Sequence, residues 1–288
     1  MNGSRSNFTP ADRPSPARPS IEPEAPLALG SEGTLAPLLA PERPARAPSG
    51  PARMFSILGP VDHRRIELRN TVAPWRMVCA LRIDTGTGVF NATGWLAGPS
   101  TVITAGHCLH NDAFASGGGG AWARQVTVIA GQSWNKRPFG AAVSTRLSCA
   151  DPWLQSRDRA HDIGCIHLDD PVGERVGWMK YDAVDPAALT RATAVVSGYP
   201  EYAGSYEHLL VAKGPVRTSL DGRLYYEIDT TDGQSGGPVW IGDVAAPTVV
   251  AVHGYEADAT PAAVGPGVNS GALLTPDHLR LIQTWQGG

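Results

Sequence analysis

Short apolar runs separated by turn-forming residues make up most of the chain from about residue 56 onward. Runs of about four to eight residues that are rich in Val, Ile and Tyr and are bounded by Gly, Pro, Asn or Asp are typical of β-strands. The candidate strands cover residues 76–83, 94–97, 101–104, 125–130, 142–147, 163–168, 194–199, 209–216, 224–229, 237–241 and 248–253. Because helical periodicity is nearly absent between them, the pattern predicts an all-β barrel or sandwich.

The C-terminal segment has a different pattern. Thr275 can cap a helix, and Pro276 suits the first helical position, where a missing N–H costs nothing. Apolar side chains then recur three residues apart, at Leu279, Ile282 and Trp285. This spacing predicts a short helix over residues 276–286 that packs on the β-structure.

The N-terminal segment differs from the rest in composition. Residues 1–53 hold 11 of the chain's 25 prolines, and proline resists both helix and sheet. We expect residues 1–55 to form a disordered leader rich in Pro and Ala, either a pro-segment removed on maturation or a solvated linker. The first residues lack the layout of a secretory signal, and no apolar stretch reaches the roughly 18 residues of a membrane span.

Composition and charge narrow the classes of function. The 288 residues are 42% hydrophobic and 18% charged, with a formal net charge of −3. This is a globular balance, and it lacks the clustered positive charge of a nucleic-acid-binding surface. No motif suggests a metal site or another cofactor. The four cysteines allow either two disulfides in an oxidising compartment or four buried free thiols.

A glycine-rich segment carries a candidate nucleophile, Ser235. It lies in DTTDGQSGGPVW (229–240), which has glycines at positions 233, 236 and 237. Because glycine reaches backbone conformations closed to other residues, the N–H groups of Gly233 and Ser235 can converge on one point and stabilise an oxyanion. The alternative is an ordinary glycine-rich turn between strands.

Two further segments supply the other groups that serine-based hydrolysis requires. His107 follows an apolar run in TVITAGHCLH (101–110), where it can accept the serine proton. Asp162 opens the apolar run in AHDIGCIHL (160–168), and a buried carboxylate there needs a partner such as His107 Nδ1–H. The rival acids lie in polar turns and have the pattern of solvated surface groups: Asp158, Asp169 and Asp170.

These motifs, in the order His, Asp, Ser, resemble those of chymotrypsin-like serine proteases. More narrowly, three segments are similar to the V8-like group of bacterial glutamyl endopeptidases: ILGPVDHRRIELRNTVAPWR (57–76), EIDTTDGQSGGPVW (227–240) and VVAVHGY (249–255). The likeness covers roughly residues 57–286. It implies two six-stranded antiparallel β-barrels with the active site in the cleft between them, followed by a C-terminal helix.

The resemblance also implies how the chain is divided. Residues 56–288 would form the protease domain, with the first barrel at about 70–170 and the second at about 185–275. In that arrangement the cysteines could pair as Cys79–Cys108 and Cys149–Cys165. Gln234, which precedes the nucleophile, departs from the trypsin pattern, where an aspartate pairs with the new N-terminus. Activation should therefore not depend on that buried ion pair.

Substrate choice is expected to depend on residues near the nucleophile. By position, the resemblance implies that Thr230 and His253 contact an acidic side chain of the substrate, and both can donate to a carboxylate. An α-amino group freed near Ser56 or Ile57 would add positive charge. Asp229 stands where trypsin-like enzymes keep a carboxylate for Lys or Arg, and it is therefore a second candidate for substrate binding.

The sequence thus predicts a secreted or periplasmic, monomeric serine endopeptidase that is made as a zymogen. It would hydrolyse protein or peptide substrates through an acyl-enzyme, with a preference for Glu or Asp at the cleaved position and with no nucleic-acid or membrane partner. One alternative is an endopeptidase specific for Lys or Arg. Another is a non-catalytic, protease-like module that binds peptides.

Overall fold

The computed structural model of the protein describes residues 57–117, 121–256 and 260–287. The expected leader, residues 1–55, lies outside the described residues. The strands are β1 (Arg65–Ile66), β2 (Val78–Asp84), β3 (Val89–Leu96), β4 (Thr101–Thr104), β5 (Gln125–Ala130), β6 (Ala142–Ser144), β7 (Leu147–Cys149), β8 (Gly164–His167), β9 (Lys180–Tyr181), β10 (Thr193–Gly198), β11 (Leu210–Leu220), β12 (Arg223–Tyr226), β13 (Pro238–Ile241), β14 (Thr248–Tyr255) and β15 (Asn269–Leu273). The helices are α1 (Gly106–Leu109), α2 (Asp151–Ser156), α3 (Val172–Val176), α4 (Pro186–Leu189) and α5 (Pro276–Gly287).

The first barrel is a nearly closed antiparallel sheet of seven strands, in the order β6-β5-β2-β3-β4-β8-β7. Large apolar side chains on both faces of this sheet are at most 1% exposed, namely Leu81, Trp95, Ile103, Ile129 and Ile166. The sequence pattern suggested one strand over residues 142–147, but the chain forms β6 and β7 there. This break gives the barrel seven strands instead of the six expected.

The second barrel is a closed antiparallel sheet of six strands. Its order is β11-β10-β13-β14-β15-β12, and β12 pairs again with β11 to close the ring. Strand β1 adds to the outer edge of β11, and the short strand β9 runs parallel to β14. The chain therefore has the predicted all-β, chymotrypsin-like fold of two antiparallel barrels and a C-terminal helix.

The C-terminal helix α5 begins as the sequence predicts. The backbone N–H of His278 donates to Thr275 Oγ1 at 3.3 Å, which caps the first turn. Ile282 and Trp285 are buried against the body of the protein. None of the helices in the described ranges has the length and apolar character that crossing a bilayer requires.

The cysteines do not form the pairs considered from the sequence, since all four are buried, unpaired thiols. The register of β7 and β8 places Cys149 opposite Gly164 and Ser148 opposite Cys165. Facing residues point to the same side of a sheet and successive residues to opposite sides, so Cys149 and Cys165 lie on opposite faces. Cys79 lies in β2 and Cys108 in α1. The alternative of buried free thiols therefore describes this chain.

Candidate active site

The structure brings His107 and Asp162 into direct contact. The Asp162 carboxylate accepts two hydrogen bonds from His107, one from its backbone N–H (Oδ1, 2.7 Å) and one from its ring Nδ1–H (Oδ2, 2.7 Å). The side chain of Asp162 is 1% exposed, whereas that of His107 is 15% exposed. A buried carboxylate that holds Nδ1–H fixes both the tautomer and the orientation of the imidazole, and so leaves Nε2 free to act as a base.

The local chain path explains why the two side chains meet. Strand β4 delivers Ala105 and Gly106 to the start of the short helix α1, which contains His107. A Cβ added to Gly106 would lie 2.7 Å from the Trp153 ring and 3.0 Å from Asp162 Oδ1. Only glycine therefore allows the carboxylate to approach the backbone of His107 this closely.

Electrostatics in this pair favour its charged form. Burial works against a charged imidazole, but the Asp162 carboxylate beside it raises the pKa of His107 well above its usual value of 6.5. Burial likewise works against a charged carboxylate, but the positive charge and hydrogen bonds of His107 lower the pKa of Asp162. Asp162 therefore stabilises the imidazolium that forms whenever His107 accepts a proton.

Aromatic rings hold His107 from two sides. The Trp153 ring lies edge-on at 6.3 Å between centroids, and the Tyr255 ring lies at 5.9 Å. Gly254 closes a third side, because a Cβ there would lie 3.7 Å from His107 Cε1 and 3.3 Å from Asp162 Oδ2. These contacts limit the movement of the imidazole.

The segment with Ser235 forms a tight loop that needs two of its glycines. Gly233 and Gly236 have φ angles of 94° and 83°, in the region that side chains disfavour. A Cβ on Gly233 would lie 2.5 Å from the carbonyl oxygen of Tyr199, and one on Gly236 would lie 2.0 Å from Thr104 Oγ1. Among the described residues, the N–H groups of Gly233 and Ser235 have no hydrogen-bond acceptor. Both donors are therefore available for an oxyanion.

Thr93 joins this loop to the first barrel. Its side-chain hydroxyl donates to the carbonyl of Gly233 at 2.7 Å, and its backbone N–H donates to the carbonyl of Ser235 at 2.9 Å. A Cβ on Gly236 would lie 2.8 Å from the backbone nitrogen of Ala105, two residues before His107. The loop that contains Ser235 and the segment that leads to His107 therefore pack against each other.

Ser235 is half-buried, and its hydroxyl makes no hydrogen bond with His107 Nε2 within the described part of the chain. Hydrogen bonds between such groups are commonly long in a ligand-free site, and they shorten when a ligand binds. The structure therefore places Ser235 next to the segment that carries His107, with its hydroxyl free.

His253 is a buried, neutral imidazole on β14. Burial and the nearby charge of His107 lower its pKa to about 3, although a hydrogen bond with the backbone of Ser270 acts in the opposite direction. Its Nδ1 lies 2.6 Å from the hydroxyl of Tyr226. Burial raises the pKa of Tyr226 well above the ordinary value of 10.0, so the phenol keeps its proton and can donate it to this contact.

Thr230 and Asp229 lie beside each other just before the loop that contains Ser235, and both are buried. The Asp229 carboxylate accepts from the backbone N–H groups of Leu58 (2.7 Å) and His63 (2.8 Å), and its Oδ2 lies 2.9 Å from His63 Nδ1. Asp229 therefore anchors the N-terminal segment. The Asp229 side chain is only 3% exposed, so these contacts leave little of the carboxylate open to another cation.

Sequence reasoning did not identify several residues that shape the site. Thr93, Trp153, Tyr226 and Tyr255 are ordinary residue types, distant in the chain from the motifs they contact. Tyr255 lies two residues after His253 in VVAVHGY, which is the one signal that could have pointed to it. No group of three or more His, Cys, Asp or Glu is arranged to hold a metal ion in residues 57–117, 121–256 and 260–287.

Two bacterial proteases are similar to this chain in sequence. The glutamyl endopeptidase of Bacillus licheniformis is 30% identical over 251 residues, which is 84% of this chain and 72% of that protein. The extracellular metalloprotease of Bacillus subtilis is 28% identical over 233 residues, which is 80% of this chain and 69% of that protein.

A solved structure of a Glu endopeptidase in complex with MPD has the same fold, with a TM-score of 0.69 at 23% identity, over 81% of this chain and 100% of that one. The family described as Trypsin matches residues 67–270, well over half of the chain. The chain therefore belongs to the trypsin family of serine proteases, and its resemblance to the V8-like group of that family is confirmed.

Proposed function

We propose that the chain is a serine endopeptidase that uses Ser235 as nucleophile, His107 as base and Asp162 as the group that orients the base. The observation that carries this proposal is the double contact of the buried Asp162 carboxylate with the backbone and ring of His107. A surface histidine would not need such a partner. Family membership makes peptide-bond hydrolysis the reaction.

In this mechanism Ser235 Oγ attacks the carbonyl carbon of the scissile peptide bond while His107 Nε2 takes the hydroxyl proton. The carbonyl oxygen becomes an oxyanion and receives hydrogen bonds from the N–H groups of Gly233 and Ser235. His107 then gives its proton to the leaving amine, and an acyl-enzyme remains. Water repeats the steps with the same base and releases the acid product.

Covalent labelling tests the nucleophile. A fluorophosphonate probe is expected to modify the active protein once per chain, on the peptide that contains Ser235, because only an activated serine reacts rapidly with it. Mass spectrometry of the digested adduct locates the label, and His107→Ala is the control that should remain unlabelled. Active protein that stays unlabelled, or is labelled on another serine, would refute the assignment.

The location and maturation of the protein are part of the same proposal. We expect the labelled species in the medium of the producing cells, with a new N-terminus near Ser56 or Ile57. The name of the Bacillus subtilis relative, an extracellular metalloprotease, supports this location. N-terminal sequencing of the labelled material measures the cleavage point, and labelled material found only inside the cells with residue 1 intact would contradict both expectations.

For the cleaved position we propose a preference for Glu, with Asp next. Thr230 and His253 are the residues that would contact the acidic side chain. If Tyr226 donates to His253 Nδ1, the neutral ring carries its own proton on Nε2, and that N–H would have to leave its contact with the backbone of Ser270 to reach the substrate. The bonds from Leu58 and His63 to Asp229 argue against a pocket for Lys or Arg. The name of the Bacillus licheniformis relative supports the same choice.

A matched set of fluorogenic peptides tests this preference. Peptides that differ only at the cleaved position, with Glu, Asp, Gln, Lys, Arg or Leu, are expected to give a kcat/KM for Glu about 100-fold above those for Lys, Arg and Leu. The variant Asp229→Asn should keep this ranking, because Asp229 binds the N-terminal segment. If kcat/KM is highest for Lys or Arg and Asp229→Asn removes that preference, Asp229 binds the substrate side chain and the proposal is wrong.

A further inference from the structure

The side chain of Arg64 lies under the loop that precedes Ser235. Although Arg64 belongs to the N-terminal segment, its side chain is only 6% exposed. Its Nε and Nη2 pair with the carboxylate of Asp62 at 3.0 and 2.8 Å. Its remaining amino group, Nη1, donates to Thr231 Oγ1 and to Gln234 Oε1, the latter at 3.2 Å.

These two acceptors lie at the two ends of one turn. Gln234 N–H donates to the carbonyl of Thr231 at 3.1 Å, and Thr231 N–H donates to Gln234 Oε1 at 3.0 Å. Gly233 lies inside this turn and Ser235 follows it directly. The guanidinium therefore holds together the turn that sets the direction of both free N–H groups.

The N-terminal segment fixes Arg64 from both sides. Immediately before it, His63 is bound to the buried carboxylate of Asp229 through its backbone and ring. Immediately after it, strand β1 pairs with β11, with Arg65 opposite Val211. Arg64 thus lies between two anchors, which orders its long side chain before any substrate arrives.

The charges of Arg64 and Asp62 favour a stable contact with the turn before Ser235. Hydrogen bonds from a cation are stronger than those between neutral groups, so the amide of Gln234 gains a firm partner. Asp62 balances the positive charge of Arg64, so the contact leaves no unpaired ion beneath the loop. The cation is supplied by a side chain and does not require a free chain terminus.

We propose that Arg64 is a positioning residue for the oxyanion hole: through Gln234 and Thr231 it keeps the N–H groups of Gly233 and Ser235 pointing at the substrate carbonyl. The proposal rests on the function proposed above, in which Ser235 is the nucleophile. Arg64 itself touches no reacting atom.

The test compares Arg64→Met with Arg64→Lys and with the control Arg69→Met. Arg69 lies in the same segment, but its side chain is 68% exposed and pairs with Glu67. Loss of one oxyanion donor costs about 100- to 1,000-fold in kcat. Two N–H groups that remain but point away from the oxyanion should lower kcat less than the loss of one donor. Arg64→Met is therefore expected to lower kcat by about 10- to 100-fold, with KM changed by less than about threefold.

Two further readouts separate positioning from a loss of stability. In Arg64→Met, affinity for a peptide aldehyde, whose adduct places an oxyanion in the hole, should fall in parallel with kcat/KM. Arg64→Lys should recover part of both losses, because it restores a donor, and Arg69→Met should stay within about twofold of the unmodified protein. All rates are divided by the number of sites that the fluorophosphonate labels.

The outcomes are distinguishable. If the unmodified protein is not labelled at Ser235, the proposed function fails, whatever Arg64 does. If labelling succeeds but Arg64→Met has the same rate per labelled site as Arg69→Met, the positioning role is refuted alone. If Arg64→Met does not fold, the double variant Gln234→Met with Arg64→Lys is compared with the two single variants. Effects on kcat that are not additive support the contact between Arg64 and Gln234, and additive effects overturn the proposal.

Discussion

Replacing the hydroxyl of Ser235 by hydrogen, in Ser235→Ala, is expected to lower kcat by about a million-fold and to leave the melting temperature unchanged. The rate falls because no other group of the site can form the acyl-enzyme. Stability is kept because the hydroxyl makes no hydrogen bond within the described residues, while the Ser235 carbonyl still accepts from the backbone of Thr93. Peptide hydrolysis at high enzyme concentration measures the rate, and circular dichroism measures the melting temperature.

Ser156→Ala is the matched control for this variant. Ser156 is exposed at the end of helix α2, where its hydroxyl donates to the carbonyl of Pro152 at 3.0 Å, so its loss should leave kcat unchanged. Activity of Ser235→Ala within about a hundredfold of the unmodified protein, after removal of contaminating protease, would mean that another residue is the nucleophile.

Asp162→Asn should have the next largest effect, a fall in kcat of about 10,000-fold. The amide cannot hold Nδ1–H of His107 as the carboxylate does, and it carries no charge to stabilise the imidazolium. The same change should alter the pH profile. The base works only when neutral, so activity rises as pH increases through its pKa, which Asp162 now raises above 6.5. In Asp162→Asn that rise should move to lower pH, as kcat/KM measured between about pH 5 and 9 would reveal.

Asp158→Asn is the control for charge in this region. Asp158 caps the short 3-10 helix Arg159–His161, and its side chain is 44% exposed. Removing its charge should leave both kcat and the pH at which activity rises, the acid limb of the pH profile, close to those of the unmodified protein. If Asp158→Asn were as damaging as Asp162→Asn, or if the limb in Asp162→Asn did not move, the orienting role of Asp162 would be wrong.

The features that could be predicted from the sequence are those written in local patterns. The C-terminal helix was expected over residues 276–286 and spans Pro276–Gly287, because a cap, a first-turn proline and regular apolar spacing lie next to one another. The two-barrel fold and its family followed from short motifs around His107, Asp162 and Ser235. The assignment of those three residues to catalysis stays a prediction until the variants above are measured.

The features that could not be predicted depend on contacts between distant segments. Strand β15 (Asn269–Leu273) contains Asn, Ser and Gly, which are poor strand formers, and it forms because β12 and β14 pair with it on both sides. The bond from Leu58 to Asp229 spans 171 residues, and that from Arg64 to Gln234 spans 170 residues. No local pattern encodes such pairs, so the contacts of the N-terminal segment with Asp229 and Gln234 emerged only from the fold.

The four unpaired thiols offer a way to study local opening of the first barrel. All of them lie between residues 79 and 165, in the first barrel, and the second barrel contains no cysteine. Burial raises the pKa of Cys79, Cys149 and Cys165, so a water-soluble alkylating reagent meets unreactive sulfur while the barrel is closed. The rate at which these thiols are alkylated therefore measures how often the first barrel opens, without any introduced probe.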